Sequence, residues 1–338
     1  MLQVRGRYPP SKGVIIMLDL MSFKKEFVTQ CRSVLSESGP QDMKIEECKM
    51  KKAQRGELNG LLFRKEGLEC APTLYVEDFY KAYKDGSAIR DLSHAAIESV
   101  VSNLSMAETL AGRTGRMLDE NIESSFADQE FLCVHLLNMS RNKEYLKDIA
   151  YREVGCGFVF IAMIECDEYR LVITNDLINS TGINKDELFD KALLNTVKRY
   201  PAVLQDMIDV VRNGTDEPEN LLDLPCTRAP AGAGPGFALT NSKFFWGAGA
   251  LFYPGVIDRI HELLDGDFYV LPSSVHEMII MKVEDQDPQQ LADLIRSANR
   301  SVVEDDDILA DDLYVCESGR LCRVSYGGVI PACGDKVC

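Results

Sequence analysis

The chain has 338 residues, 46% of them hydrophobic and 27% charged, with a formal net charge of −16. That length buries a good core in one large or two modest domains, and the composition is globular. The acidic balance, with Lys and Arg interspersed among acids, argues against nucleic acid, whose binding rests on clustered cations and counterion release, and equally against an anionic membrane surface.

No apolar run reaches the roughly 18 residues of a membrane span. The run over residues 13–21 is broken by Asp19 and has no small-residue cleavage site after it, so no signal peptide is read and a cytoplasmic location is expected. Lys12-Gly13-Val14 is encodable as AAA-GGA-GTN, a ribosome-binding sequence suitably spaced before Met17. Residues 1–16 are therefore read as a mis-assigned upstream extension.

From Ser22 to Ser36, Phe23, Phe27, Val28, Cys31, Val34 and Leu35 share one helical face, with Ser22 as the expected N-cap. DMKIEECKMKKAQ and GELNGLLFRKEG read as strands, and helical structure begins at EDFYKAYKDG and resumes after Ser87. EFLCVHLLN is a continuous apolar run and reads as a buried strand. GCGFVFIAMIECD and YRLVITND read as a hairpin turning near Asp167-Glu168. Thr174 or Asn175 caps the helix NDLINST, and Asn184 caps NKDELFDKALLNTVKR, which Tyr200-Pro201 ends; a further helix is expected up to Asn213-Gly214. Residues 214–236, first acidic and then Gly/Ala/Pro-rich, read as a flexible loop. After it come the strands FALTN and GAGALFY, the helix PGVIDRIHELLDG, the strands DFYVL and HEMIIMKV, the helix PQQLADLIRSAN and the strand LYVCE. The expected organisation is an N-terminal α+β region at 17–113, a central one at 114–213, a C-terminal one at 237–325 and a disordered Cys-bearing tail at 326–338. The fold class is α+β, with mixed, largely antiparallel sheets and helices packed on one face.

Eleven cysteines include no C-x-x-C pair, which removes zinc-knuckle and thioredoxin-type motifs. Cys133, Cys156 and Cys166 lie in or beside apolar runs and read as small buried hydrophobes in a reducing compartment. His94, His135, His261 and His276 are far apart in sequence with no H-E-x-x-H, so no metal is expected. No cofactor is expected either: GAGPG at 232–236 has no Lys-Ser/Thr after it, loses a donor at Pro235 and leads into a strand. The acidic run at 304–307 lacks the alternating ligands and turn glycine of a calcium loop.

The stretch LPSSVHEMI gathers Ser273, Ser274, His276 and Glu277. A serine nucleophile needs a base, and the base an orienting acid. On a strand His276 and Glu277 point to opposite faces, and no G-x-S-x-G elbow occurs. The stretch reads as a polar turn at a sheet edge, with Ser273, Ser274 and His276 as the candidate catalytic residues of a hydrolase alternative. Candidate ligand-binding residues are Asn241, Trp246, Tyr253 and His276, where the 272–276 turn meets the FALTN and GAGALFY strands.

TLYVEDFYKAYKDG, VITNDLINSTGINKDELFDKALLNT, FALTNSKFFWGAGALFYPGVIDRIHELLDGDFYVLPSSVHE and DDILADDLYVCE resemble an uncharacterised bacterial family of Firmicutes, domain of unknown function 5688, from about Phe23 to Arg323. A fainter similarity, at 237–300 and in GINKDELFDKALLN, runs to domain of unknown function 1444. The first resemblance implies an intracellular bacterial protein and no particular reaction. The function expected is a non-catalytic module that binds a small-molecule ligand or a protein partner, with the serine hydrolase as the alternative.

Overall fold

The apolar spacing of Phe23, Phe27, Val28, Cys31, Val34 and Leu35 produces the buried face of α1 (Leu20–Ser38). Its N-cap is Asp19, not Ser22: the Asp19 carboxylate accepts from the Ser22 amide at 2.7 Å, which puts Ser22 inside the first turn. The computed structural model describes residues 17–66, 71–102, 104, 131–165, 170–208, 219–225, 236–325 and 328–330. The proposed extension 1–16 and the hairpin turn at 167–168 lie outside them. The chain divides into two units, Met1–Met50 with Leu58–Thr114, and Lys51–Glu57 with Gly115–Cys338.

In the first unit α1 joins the three-stranded sheet β1 (Met43–Lys52), β2 (Gly56–Lys65) and β3 (Thr73–Tyr75), then α2 (Val76–Lys84) and α3 (Ile89–Ser102). The core is aromatic at one end. Phe23 stacks on Phe27 at 5.4 Å and meets Tyr83 at 5.0 Å, and Phe27 stacks on Phe79 at 4.8 Å. Such pairs add to plain burial by about 0.5–1.5 kcal/mol each.

The second unit holds two sheets. β4 (Leu132–Asn138), β6 (Phe158–Glu165) and β5 (Tyr151–Gly155) lie in that order, and β7 (Arg170–Val172) pairs with the far end of β6. The second sheet has seven strands, β14-β13-β12-β10-β11-β9-β8, with every pair antiparallel. Its members are β8 (Ala202–Asp206), β9 (Phe237–Asn241), β10 (Phe268–Pro272), β11 (Met278–Lys282), β12 (Tyr314–Glu317), β13 (Arg320–Ser325) and β14 (Gly328–Ile330). The α+β expectation holds, with mostly antiparallel sheets.

Four differences from the expected elements stand out. Where the expected helix after Pro201 would begin, residues 202–206 form β8, paired with β9, and helical backbone starts only at 207–208. That pairing joins strands from either side of 214–236 in one sheet. GAGALFY is not a strand: Gly247–Phe252 form a wholly buried 3₁₀ segment, because its small residues allow close approach from both sides. His276 and Glu277 lie in the turn before β11, so strand alternation does not apply to them. Within the expected tail, residues 328–330 form β14, paired with β13.

Strand parity divides the four-stranded sheet into two faces. Leu132, Val134, Leu136, Phe158, Phe160 and Ala162 join the main core with residues of the seven-stranded sheet, α5 (Lys185–Arg199) and α6 (Val256–Leu264). α4 (Asn175–Thr181), capped by Thr174, precedes α5, which Asn184 caps. α7 (Pro288–Ser301) packs Leu291, Ala292 and Ile295 against Tyr269, Leu271 and Val315 of the seven-stranded sheet. The opposite face of the four-stranded sheet carries Leu137, Val159 and Ile161 in a smaller cluster that includes Trp246.

Phe23→Ala is expected to cost about 3–5 kcal/mol, read by urea unfolding, whereas the exposed Thr29→Ala stays within about 0.5 kcal/mol. Equal effects at the two positions would contradict the burial assigned to α1.

Candidate functional site

Cys133 and His135 are two apart on β4, so they share a face. Cys133 is opposite Met163 and His135 opposite Ile161, which places Glu165, at the end of β6, on that same face. β7 sets Arg170 directly across from Glu165. Four chemically active side chains thus meet on the face that also carries Leu137, Val159 and Ile161. The edge strand β4 is held by α5: Thr196 Oγ1 accepts from the Val134 amide at 2.9 Å, and Asn195 Nδ2 donates to the Leu132 carbonyl at 3.2 Å.

The hub is Glu165, whose side chain is 3% exposed. Its Oε2 lies 3.0 Å from His135 Nε2, 3.7 Å from Cys133 Sγ and 3.7 Å from Arg170 Nε. Its Oε1 accepts from Lys243 Nζ. The Glu165 carbonyl accepts from Arg199 at 3.2 Å. Burial opposes ionisation of Glu165, but the hydrogen bonds from His135 and Lys243, with the Lys243 charge, outweigh it and hold the carboxyl well below the usual range. Burial lowers His135, and the Glu165 bond only partly offsets this, so the imidazole is neutral. Burial, then the Glu165 charge, push the Cys133 thiol up to about 12.

Lys243, Phe245 and Trp246 arrive on the segment between β9 and the 3₁₀ residues. Asn241 shapes it: its Oδ1 accepts from the Lys243 amide and its Nδ2 donates to the Phe245 carbonyl. Phe244 and Trp246 both take left-handed backbone, each at φ 53°, a conformation that costs of order 1–3 kcal/mol in a non-glycine residue and persists only where surroundings enforce it. Gly247 permits the closure, since a Cβ there would stand 2.6 Å from the Asn241 amide nitrogen and 2.7 Å from the His276 carbonyl oxygen. Trp246 then stacks on His135 at 4.8 Å. Around the rim, Arg170 lies over Phe245 at 5.0 Å, Lys243 over Tyr200 at 4.8 Å, and Arg199 over Tyr200 at 5.1 Å.

The residues singled out from LPSSVHEMI serve this segment. The Trp246 amide donates to His276 Nδ1 at 3.1 Å, so Nε2 carries the ring proton toward Asp307 Oδ1 at 3.2 Å. Phe245 stacks on the same ring at 4.9 Å. Ser273 Oγ donates to Glu277 at 3.3 Å, and Ser274 Oγ accepts from the His276 amide at 3.0 Å. Neither hydroxyl is brought to the His276 ring in these bonds. Of the candidate ligand residues, Trp246 stands at the cluster, Asn241 and His276 support its segment, and Tyr253 is buried in the main core. His261 sits apart, 3.4 Å from Asp267.

Reading residue by residue misses Cys133, His135, Glu165, Arg170 and Lys243. The available signal was the C-x-H spacing inside a strand, and a lone acid ending the apolar run FVFIAMIE. Cys133, His135 and Glu165 offer ligand atoms all within 4.8 Å of one another. Among the described residues no helix is long and apolar enough to cross a membrane.

These titrations fix the sign of the pH response. The unfolded state takes up a proton on His135 below about pH 6.5, whereas the buried ring resists it, so stability falls with pH from there. Glu165 contributes stability above its unfolded value near 4.3, and this is lost as pH falls toward the folded one. Urea unfolding from about pH 8 down to about pH 2, past both unfolded values, is expected to show both stages, and His135→Gln to remove the upper one. An unchanged profile in that variant would contradict a buried neutral His135.

The chain belongs to the family of unknown function DUF5688, whose model matches residues 23–318. No match is found among curated proteins or among solved structures.

Proposed function

We propose that this member of the family is a binding protein whose second unit takes a small anionic ligand, of carboxylate or phosphate type, at the Arg170–Lys243 rim. The observation that carries this reading is the convergence of cations on one hub. Arg170 and Lys243 both face Glu165, two cations to one carboxylate among the described residues, and Arg199 stands beside them. Their heads are within reach of solvent, at 45% exposure for Arg170 and 32% for Lys243, whereas the carboxylate that orients them is not. In a chain of net charge −16 such a cluster is a local inversion of the surrounding field, and it gives an anion its most favourable contact. Guanidinium and ammonium donors held over aromatic rings are already oriented, which lowers the entropic cost of capture.

A non-catalytic role is favoured over the serine-hydrolase alternative because His276 uses both ring nitrogens, one on the Trp246 amide and one on Asp307. A base so engaged is not set to take a serine proton. A fluorophosphonate probe is expected to leave folded protein unlabelled; labelling lost in both Ser273→Ala and His276→Ala would restore the hydrolase.

Trp246 is the chain's only tryptophan and reports on the site through His135. Titration with inorganic phosphate, pyrophosphate and a series of dicarboxylates is expected to give a saturable change in its fluorescence for at least one of them. Lys243→Met is expected to weaken that binding at least about tenfold, or about 1.4 kcal/mol. No response to any anion, or one unaltered by Lys243→Met, would overturn the proposal.

A further inference from the structure

Beneath the cationic rim, Cys133, His135 and Glu165 form a second arrangement with chemistry of its own. Three donors aim at one oxygen, Glu165 Oε2: His135 Nε2 at 3.0 Å, Cys133 Sγ at 3.7 Å and Arg170 Nε at 3.7 Å. Ligand atoms on one tetrahedral zinc stand roughly 3–4 Å apart, given bonds of about 2.0–2.3 Å. The distances from Oε2 to the imidazole and the thiol fall in that range, and all three residues are buried on rigid strands.

We infer that Cys133, His135 and Glu165 form a three-ligand site for a divalent transition metal of the zinc type. The mixed sulfur, nitrogen and oxygen set suits such an ion; magnesium and calcium prefer all-oxygen shells. Three protein ligands leave a fourth position, the arrangement of zinc sites that accept an exogenous group. The metal ion displaces the thiol proton of Cys133, which leaves to solvent, and the His135 proton moves from Nε2 to Nδ1, freeing Nε2 to ligate. Thiolate and carboxylate then cancel the double positive charge, and one proton is released per metal bound. Lys243 on Oε1 raises the cost of placing a cation nearby, which favours an anion in the fourth position. The metal inference shares Glu165 with the anion-binding reading but does not require it.

The test is titration of chelator-treated full-length protein with Co²⁺, which reports thiolate ligation as an intense near-ultraviolet charge-transfer band. One equivalent is expected, with the band displaced by Zn²⁺, lost in Cys133→Ser and retained in Cys322→Ser. X-ray absorption of the zinc-loaded native chain provides a readout that needs no variant to fold: one sulfur with lighter nitrogen and oxygen neighbours is expected. Absence of Co²⁺ uptake, a band that survives Cys133→Ser, or a shell without sulfur or with several sulfurs would each overturn the inference. Cobalt binding in a protein whose Trp246 ignores anions would retain the metal and discard the anion; anion binding without the band would do the reverse.

Discussion

An ionised carboxylate at 3% exposure must be met by donors and counter-charges, because desolvation alone would force it to take up a proton. Glu165 is met from three directions. β4 supplies His135 and Cys133 on the neighbouring strand, β7 supplies Arg170 across the opposite edge, and the segment after β9 supplies Lys243. The register of the four-stranded sheet is thereby tied to one side chain. A slip of one residue on β4 would turn Cys133 and His135 into the main core and leave the carboxylate short of its donors.

The same requirement accounts for the conformation of residues 241–247. Lys243 reaches Glu165 only if the chain turns sharply after β9, and the turn is held by Asn241, by left-handed Phe244 and Trp246, and by the absence of a side chain at Gly247. Thr240 Oγ1 donates to the His276 carbonyl at 2.8 Å, joining the turn before β11 to this closure. His276 and Asp307 therefore act at one remove from Glu165: they hold the Trp246 amide, and Trp246 covers His135.

Much of this fold is legible in local pattern. The buried face of α1, the caps at Thr174 and Asn184 and the buried run of β4 follow from periodicity and end chemistry. AVLQD was not legible as a strand, because five residues after a helix stop carry little period, and pairing with β9 decides their state. GAGALFY has strand-like residues at its end, but its small residues pack into the core as a 3₁₀ segment. The site was hidden for a different reason. Its residues are spread over β4, β6, β7 and the segment after β9, and only strand register brings positions 133, 135, 165 and 170 to one face. The polar stretch LPSSVHEMI drew notice because its residues are adjacent in sequence, yet its bonds support a neighbouring segment.

Glu165 and Lys243 are coupled through an ionic contact, buried on the carboxylate side, that organises the second unit. A double-mutant cycle with Glu165→Gln, Lys243→Met and the pair, read by urea unfolding at pH 7, measures that coupling directly. The account predicts a coupling energy of at least about 1 kcal/mol, with the double variant more stable than the sum of the single losses implies. Additivity within about 0.5 kcal/mol would contradict it.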